Sequence, residues 1–351
     1  MTTGGKKELE GKRWDCSTAW GSPAIIRDVR SALAIRQPFE NLLMAPTKFI
    51  HAVRRLLAVA TSLVLVFSVN SLASGQSQPE FLGAEELPAV VIDGQPAKIH
   101  VQGLMGTEKF WLVTGRLESP PRRPLLLRFS RSDPSRYEFS FLDLASEDGV
   151  RLDHPGGFDR DAHGVYWIPV STSNAQGPTV ILGLTIDEQR PLVEGMSILH
   201  SLRVNDHLGA ICCQPKGGQP GVLWGATWDT KAIYQIRSNA AGFKIQKQAG
   251  WKSLVDDPAW QLAVQDWKFD PTRQMIVAGG IDKSPSRPAG SSKAVVGWIH
   301  PESRTVTPVR LPARDGVTRP LTNEGLAIEG DQLFLLPEDI GRGAKILRFR
   351  L

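Results

Sequence analysis

Cysteine is scarce in this chain of 351 residues: there are three. Cys16 lies far upstream of the other two, Cys212 and Cys213, which are adjacent. Three thiols so placed exclude a disulfide-stapled scaffold. The adjacent pair reads as two small strand residues facing opposite sides of a sheet, or as a strained vicinal disulfide. Sustained helical periodicity is also missing from residue 87 onward, where short apolar stretches alternate with Pro, Gly, Asp and Ser. That pattern excludes a helical bundle and predicts an all-β chain. Charge of one sign is missing from the body as well. The formal net charge is +5, yet residues 1–73 hold ten Lys/Arg against five Asp/Glu, which accounts for the whole excess. A body balanced in charge offers no broad phosphate-binding footprint, so nucleic acid is not an expected partner. No nucleophile elbow (G-x-S-x-G), P-loop lysine motif or H-E-x-x-H is present, which removes the commonest hydrolase, nucleotide-binding and zinc-protease signatures.

Long hydrophobic runs are rare too, and the longest has a specific reading. Lys48, His51, Arg54 and Arg55 precede the apolar run from Leu56 to Val69, and Ser71-Leu72-Ala73 follows it. A basic segment, an apolar core of about 14 residues and a small-residue site describe a secretory signal. The run falls short of the ~20 apolar residues of a membrane span. The expected product is therefore a periplasmic or secreted protein cleaved after Ala73, with no stable membrane anchor. Residues 1–43 read as an extension ahead of a start at Met44, residues 44–73 as the signal peptide, 74–85 as a linker and 86–351 as the folded domain.

What the body does contain is a repeat. Apolar strands begin at Phe110, Val165, Val222, Met275 and Leu333, spaced by 55, 57, 53 and 58 residues. A following strand recurs in each unit, and a fourth in all but the last, where the chain ends at Leu351. Internal repetition on this scale fixes architecture before it says anything of chemistry. The pattern resembles the β-propeller superfamily from about residue 86 onward. The resemblance implies one closed β-propeller of five four-stranded blades, or six if residues 242–265 hide an irregular blade. Residues Ala89 to Asp93 are then expected to complete the last blade against Ala344 to Arg350, which would hide two sheet edges. No tryptophan-aspartate, kelch or calcium-loop signature accompanies the repeat. The nearest likeness is to uncharacterised exported bacterial propellers.

In such a ring the start of each inner strand gathers at one mouth of the central channel. The repeat puts His100, His154, His207, Asp266 and Asn323 in that slot. Three imidazoles and a carboxylate suit a divalent transition metal such as zinc, iron or manganese. The same residue types also cap loops and hold channel waters, and the alignment of the last two blades also fits a one-residue shift, which would point a side chain to the other face of the strand. Strand-end acids form a second set: Asp159, Asp161, Asp266, Asp270, Glu324, Glu338 and Asp339. From it Glu324 and Asp266 are the candidate catalytic acid/base residues. Asn323-Glu324-Gly325-Leu326-Ala327 is similar to a short motif of phytase-like exported propellers. Five-bladed glycosidases carry an acid where this chain has His100, which counts against that resemblance. The ten tryptophans read as inter-blade filling, with one or two available for carbohydrate stacking. Two functions follow from these readings. One is a binding module that takes a small molecule, glycan or protein partner at the channel mouth. The other is a metal-dependent hydrolase or lyase.

Overall fold

A computed structural model describes residues 79–144, 149–216, 219–239, 242–257, 260–285 and 292–351. The signal peptide and the segment ahead of it lie outside the described residues. Alternating apolar positions and turn residues produce five four-stranded antiparallel sheets, arranged as the blades of a propeller. Blade 1 comprises Ile99–Gly106, Phe110–Leu117, Arg123–Ser130 and Tyr137–Phe141, from the inside outward. The inner strand of blade 2 is broken into His154–Pro155 and Asp159–Arg160, followed by Tyr166–Ser171, Thr179–Ile186 and Met196–Val204. Blade 3 runs Leu208–Lys216, Gln219–Thr227, Ala232–Asn239 and Gly242–Ala249, and blade 4 runs Leu262–Asp270, Met275–Asp282, Ala294–His300 and Thr305–Arg310. Residues 242–249 are thus the outer strand of blade 3, and five blades are present.

Blade 5 takes Gly325–Glu329, Gln332–Leu336 and Lys345–Arg350 from the end of the chain, and its outermost strand is Glu80–Glu86. This corrects the expectation that Ala89 to Asp93 would pair there, and it makes part of the expected linker a strand. Glu80 faces Arg350 and Glu86 faces Lys345. Ion pairs of 2.8 and 2.7 Å join the same partners, and Phe81 packs edge-on against Phe349 at 5.4 Å. The charges that make Glu80–Glu86 look like linker are the cross-strand partners of the charges on the neighbouring strand. Val91–Ile92 instead folds back on Gln95–Pro96. Its turn residues Asp93 and Gly94 both have positive φ (51° and 75°), the backbone of a tight hairpin.

Each pair of neighbouring blades buries its own apolar cluster. Blades 1 and 5 share Ile99, Val101, Trp111 and Phe334, and blades 3 and 4 share Cys212, Trp224, Val264 and Trp267. Cys213 faces the other way, into the cluster between blades 2 and 3. The adjacent cysteines are both free thiols on opposite faces of one strand, as period-two geometry requires.

Along the axis the inner strands approach so closely that little but backbone fits. A Cβ on Gly157 would sit 2.4 Å from Asp266 Oδ1, and one on Gly325 would sit 2.7 Å from Leu104 Cβ. The glycine that follows the mouth residue in several repeats is therefore a packing requirement. Two carboxylates staple the strands together below it. Asp266 Oδ2 accepts the backbone N–H groups of Leu104 (3.0 Å) and Leu326 (2.9 Å), tying blade 4 to blades 1 and 5. Asp159 Oδ2 accepts those of Cys213 (2.9 Å) and Phe269 (3.0 Å), tying blade 2 to blades 3 and 4. Between them Lys268 Nζ donates to Asp266 Oδ1 (2.5 Å) and to the carbonyl of Phe158 (2.7 Å).

Candidate functional site at the channel mouth

His100, His154 and His207 do stand side by side. The ring centroids of His100 and His154 are 5.9 Å apart, and those of His154 and His207 are 5.4 Å apart. Their hydrogen bonds settle how each ring is held. His207 Nδ1 donates to the carbonyl of Asn174 (3.0 Å), because a carbonyl can only accept, so its Nε2 carries a lone pair. His154 Nδ1 accepts from Arg116 Nη1 (3.0 Å), which leaves the proton on Nε2. His100 Nδ1 donates to Asp339 Oδ1 (2.9 Å), while its Nε2 accepts from Gln102 (2.7 Å). Burial first, then the charge of Arg116 and the neighbouring imidazoles, pushes His154 well below its ordinary value. Burial lowers His207 as well, although its bond to Asn174 pulls the other way.

The acids at this mouth are Glu324 and Asp339, and one arginine holds both. Arg319 Nη1 lies 2.8 Å from Glu324 Oε1 and 3.2 Å from Asp339 Oδ1, and its Nη2 lies 2.9 Å from Asp339 Oδ2. Glu324 also accepts from Gln102 (3.3 Å) and from the amide of Asn323. Burial pushes the Glu324 carboxyl well above its ordinary value, against the pull of Arg319. Asp339 is lowered: burial acts to raise it, but its bond to His100 and the charge of Arg319 together win. On the next blade Arg116 is paired with Glu118 (2.7 Å) and also donates to Ser173 (3.1 Å). Every arginine in this cluster is therefore compensated by a carboxylate.

Trp228 completes the rim. Its backbone bridges blades 3 and 4, with N–H donating to His207 (3.4 Å) and C=O accepting from Val264 (3.1 Å). Trp228 is 43 % exposed, although its Nε1 donates to the side-chain oxygen of Gln265 (3.2 Å) in the amide orientation that satisfies both groups. Gln265, and not Asp266, holds the fourth-blade position beside the mouth.

Asp266 belongs elsewhere, which corrects its expected place among the metal ligands and catalytic acids. It is fully buried and bonded at the level of Leu104, four residues along the strand from His100. At about 3.3 Å per residue that is roughly 13 Å down the channel. The strand registers explain the misplacement: Asp266 follows the bulge after Val264 as Gly103 follows the bulge after Val101, so it stands three residues beyond the position of His100. Asp161 and Asp270 serve local turns, accepting from the backbones of His163 and Val165 and of Thr272 and Arg273 respectively. Glu338 accepts from the backbone of Thr318 and Arg319 at the edge of the cluster.

A metal can be weighed against these distances. The three histidines are arranged as a row and not around a point. Among the described residues, the donor group whose ligand atoms all fall within 4.8 Å of one another is His100, Glu324 and Asp339. Nitrogen with two carboxylates suits a divalent transition ion. Arg319 Nη1, however, sits on the same two oxygens that such an ion would need, so the protein already supplies a cation there. Arg319, Arg116, Gln102 and the exposure of Trp228 were not visible in the repeat. Arg319 comes from the irregular segment ahead of the last blade, where no periodicity marks it.

No family model matches the chain, and no curated protein sequence matches it. Solved structures do show a similar layout of strands. A structure from the GH130 family of mannoside phosphorylases, described as containing glycoside hydrolases that target β-1,2 mannosidic linkages in Candida mannan, is 12% identical, with 77% of this chain and 94% of that one covered at a TM-score of 0.46. A glycosyl hydrolase from Bacteroides ovatus is 9% identical, covering 72% and 84% at 0.45. A luciferin-regenerating enzyme is 10% identical, covering 72% and 78% at 0.42. At these values the likeness carries nothing about activity. The strand pairings themselves make the protein a five-bladed β-propeller with a polar, histidine-lined mouth.

Proposed function

We propose that the protein is an exported binding module that holds a glycan at the channel mouth. The observation that carries this reading is the exposed indole of Trp228 beside a row of imidazoles and hydrogen-bonded carboxylates. A sugar offers an apolar face for stacking and hydroxyls that both donate and accept. The mouth offers the matching set: a flat aromatic surface, a lone pair on His207 Nε2, a proton on His154 Nε2, and Glu324 and Asp339. Its arginines are all paired with acids, so an anionic polymer such as nucleic acid gains little there. Export rests on the sequence of residues 44–73.

Calorimetric titration with a panel of oligosaccharides tests the reading. Saturable binding to at least one glycan, weakened about tenfold or more in Trp228→Ala, is the expected result. A panel without binders, or binding that Trp228→Ala leaves unchanged, rejects it. The grouping of His100, Glu324 and Asp339 favours a second reading, a metal-dependent hydrolase or lyase with Glu324 as the acid or base. Stoichiometric metal in the purified protein, lost in His100→Ala and Asp339→Ala, would support that reading instead.

A further inference from the structure

We propose that a second site, on the end of the propeller opposite the histidines, binds a small amphipathic carboxylate. The chain direction places it. In blade 2 the strand leaves the mouth at His154 and turns at Asp161–Gly164, and in blade 3 the inner strand leaves at His207 and runs to Lys216. The cleft between these two strand ends has a volume of about 700 Å³, within the roughly 300–1,000 Å³ range of small-molecule sites.

Its walls are apolar: Val165 and Trp167 from blade 2, and Leu223, Ile236 and Phe243 from blade 3. The same side chains belong to the cluster that joins these blades, so the cleft is the unfilled lower part of an otherwise packed interface. Trp167 is fixed within it. Its ring lies parallel to that of His200 at 5.5 Å and edge-on to Phe243 at 5.5 Å, and its Nε1 donates to Asp161 Oδ2 (2.9 Å).

The polar groups at the rim determine the head group. Asp161, the one carboxylate among the described lining residues, is already occupied. Oδ1 accepts from the backbone of His163 (2.9 Å) and Val165 (3.0 Å), and Oδ2 takes the indole. Gln214 gives its side-chain oxygen to Trp224 Nε1 (2.8 Å) on the other face of the blade, so it does not enter the cleft. Lys216 is exposed at the rim and forms no ion pair among the described residues. A ligand here therefore meets apolar walls and one cation at the rim. A carboxylate head on an apolar body complements both.

Decanoate, decanol and decylamine share a tail and differ in the head group, so titrating each, followed by Trp fluorescence and calorimetry, separates the two parts of the proposal. Saturable one-to-one binding of decanoate is expected, about five- to tenfold tighter than decanol, with decylamine weakest. Lys216→Met should bring decanoate down to the level of decanol. Leu223→Trp fills the cleft and should abolish binding of both. Absence of saturable decanoate binding overturns the site. Decanoate that binds no tighter than decanol, or equally well to Lys216→Met, overturns the head-group assignment. Undiminished binding to Leu223→Trp that retains the wild-type circular dichroism places the ligand elsewhere and also overturns the proposal.

Discussion

Replacing Lys268 with methionine should cost the protein more stability than any other single change to a charged residue along the channel axis. Its ammonium, 2.5 Å from Asp266 Oδ1, is the cation that acts on both axial carboxylates, Asp266 and Asp159. Burial pushes each of these carboxyls up to about 6 from an ordinary value of 3.8, and Lys268 is the leading influence pulling each back. Methionine preserves the volume and removes the charge, leaving buried anions with backbone N–H groups alone. Breaking a buried pair in this way costs about 3–5 kcal/mol, a large part of the roughly 5–15 kcal/mol available to a folded domain. The pH dependence identifies the cause. A carboxyl raised in the folded state binds protons more tightly there than in the unfolded chain. Its contribution to stability therefore falls as pH rises from about 4 to about 6 and is flat above. Without Lys268 that window moves upward, so the variant should regain part of its loss as pH falls from 7 to 5. Adding Asp266→Asn, whose carbonyl still accepts from Leu104 and Leu326, should recover part of it at pH 7. Urea unfolding at pH 7 and pH 5 measures all three. A loss below about 1 kcal/mol, or an equal loss at both pH values, would refute the account of the axis.

Three further expectations remain, two from the fold and one from the sequence of residues 44–73. Gly157→Ala brings a methyl within 2.4 Å of Asp266 Oδ1 and should destabilise by about 1–3 kcal/mol, read as a lower urea midpoint. Deleting residues 79–86 strips the outer strand from blade 5 and should lower the melting temperature sharply, and a truncated protein that melts like the intact one would contradict the pairing with Lys345–Arg350. N-terminal sequencing of protein from the native host should begin at Ser74. A chain that keeps residues 44–73 in the membrane fraction would contradict export by cleavage.

The architecture was legible because the repeat is carried by apolar strands, and burying one face of each strand forces period-two patterning whatever the side chains do elsewhere. Glu80–Glu86 escaped because an outer strand is half-exposed and its charges resemble those of a linker until Arg350 and Lys345 are seen opposite. The three histidines were legible as equivalent positions. Their arrangement as a row was not, since spacing along the chain gives no rotation about the channel axis. Asp266 shows the limit most directly: the spacing of the repeat places it level with His100, while the strand register puts it level with Gly103, three residues further along and on the buried axis. Arg319 could not be found at all, because irregular segments have no period to align. It is nonetheless the residue that pairs with both Glu324 and Asp339.

The claim that the histidine-lined mouth is where the ligand sits has a direct measurement. With the imidazole rings labelled with ¹⁵N, heteronuclear spectra recorded during titration with the tightest glycan report each ring separately. The account predicts shifts confined to His100, His154 and His207, with His163, His200 and His300 unmoved. Shifts at His163 or His200 with an unperturbed mouth would contradict it, and would move the glycan to the cleft between blades 2 and 3.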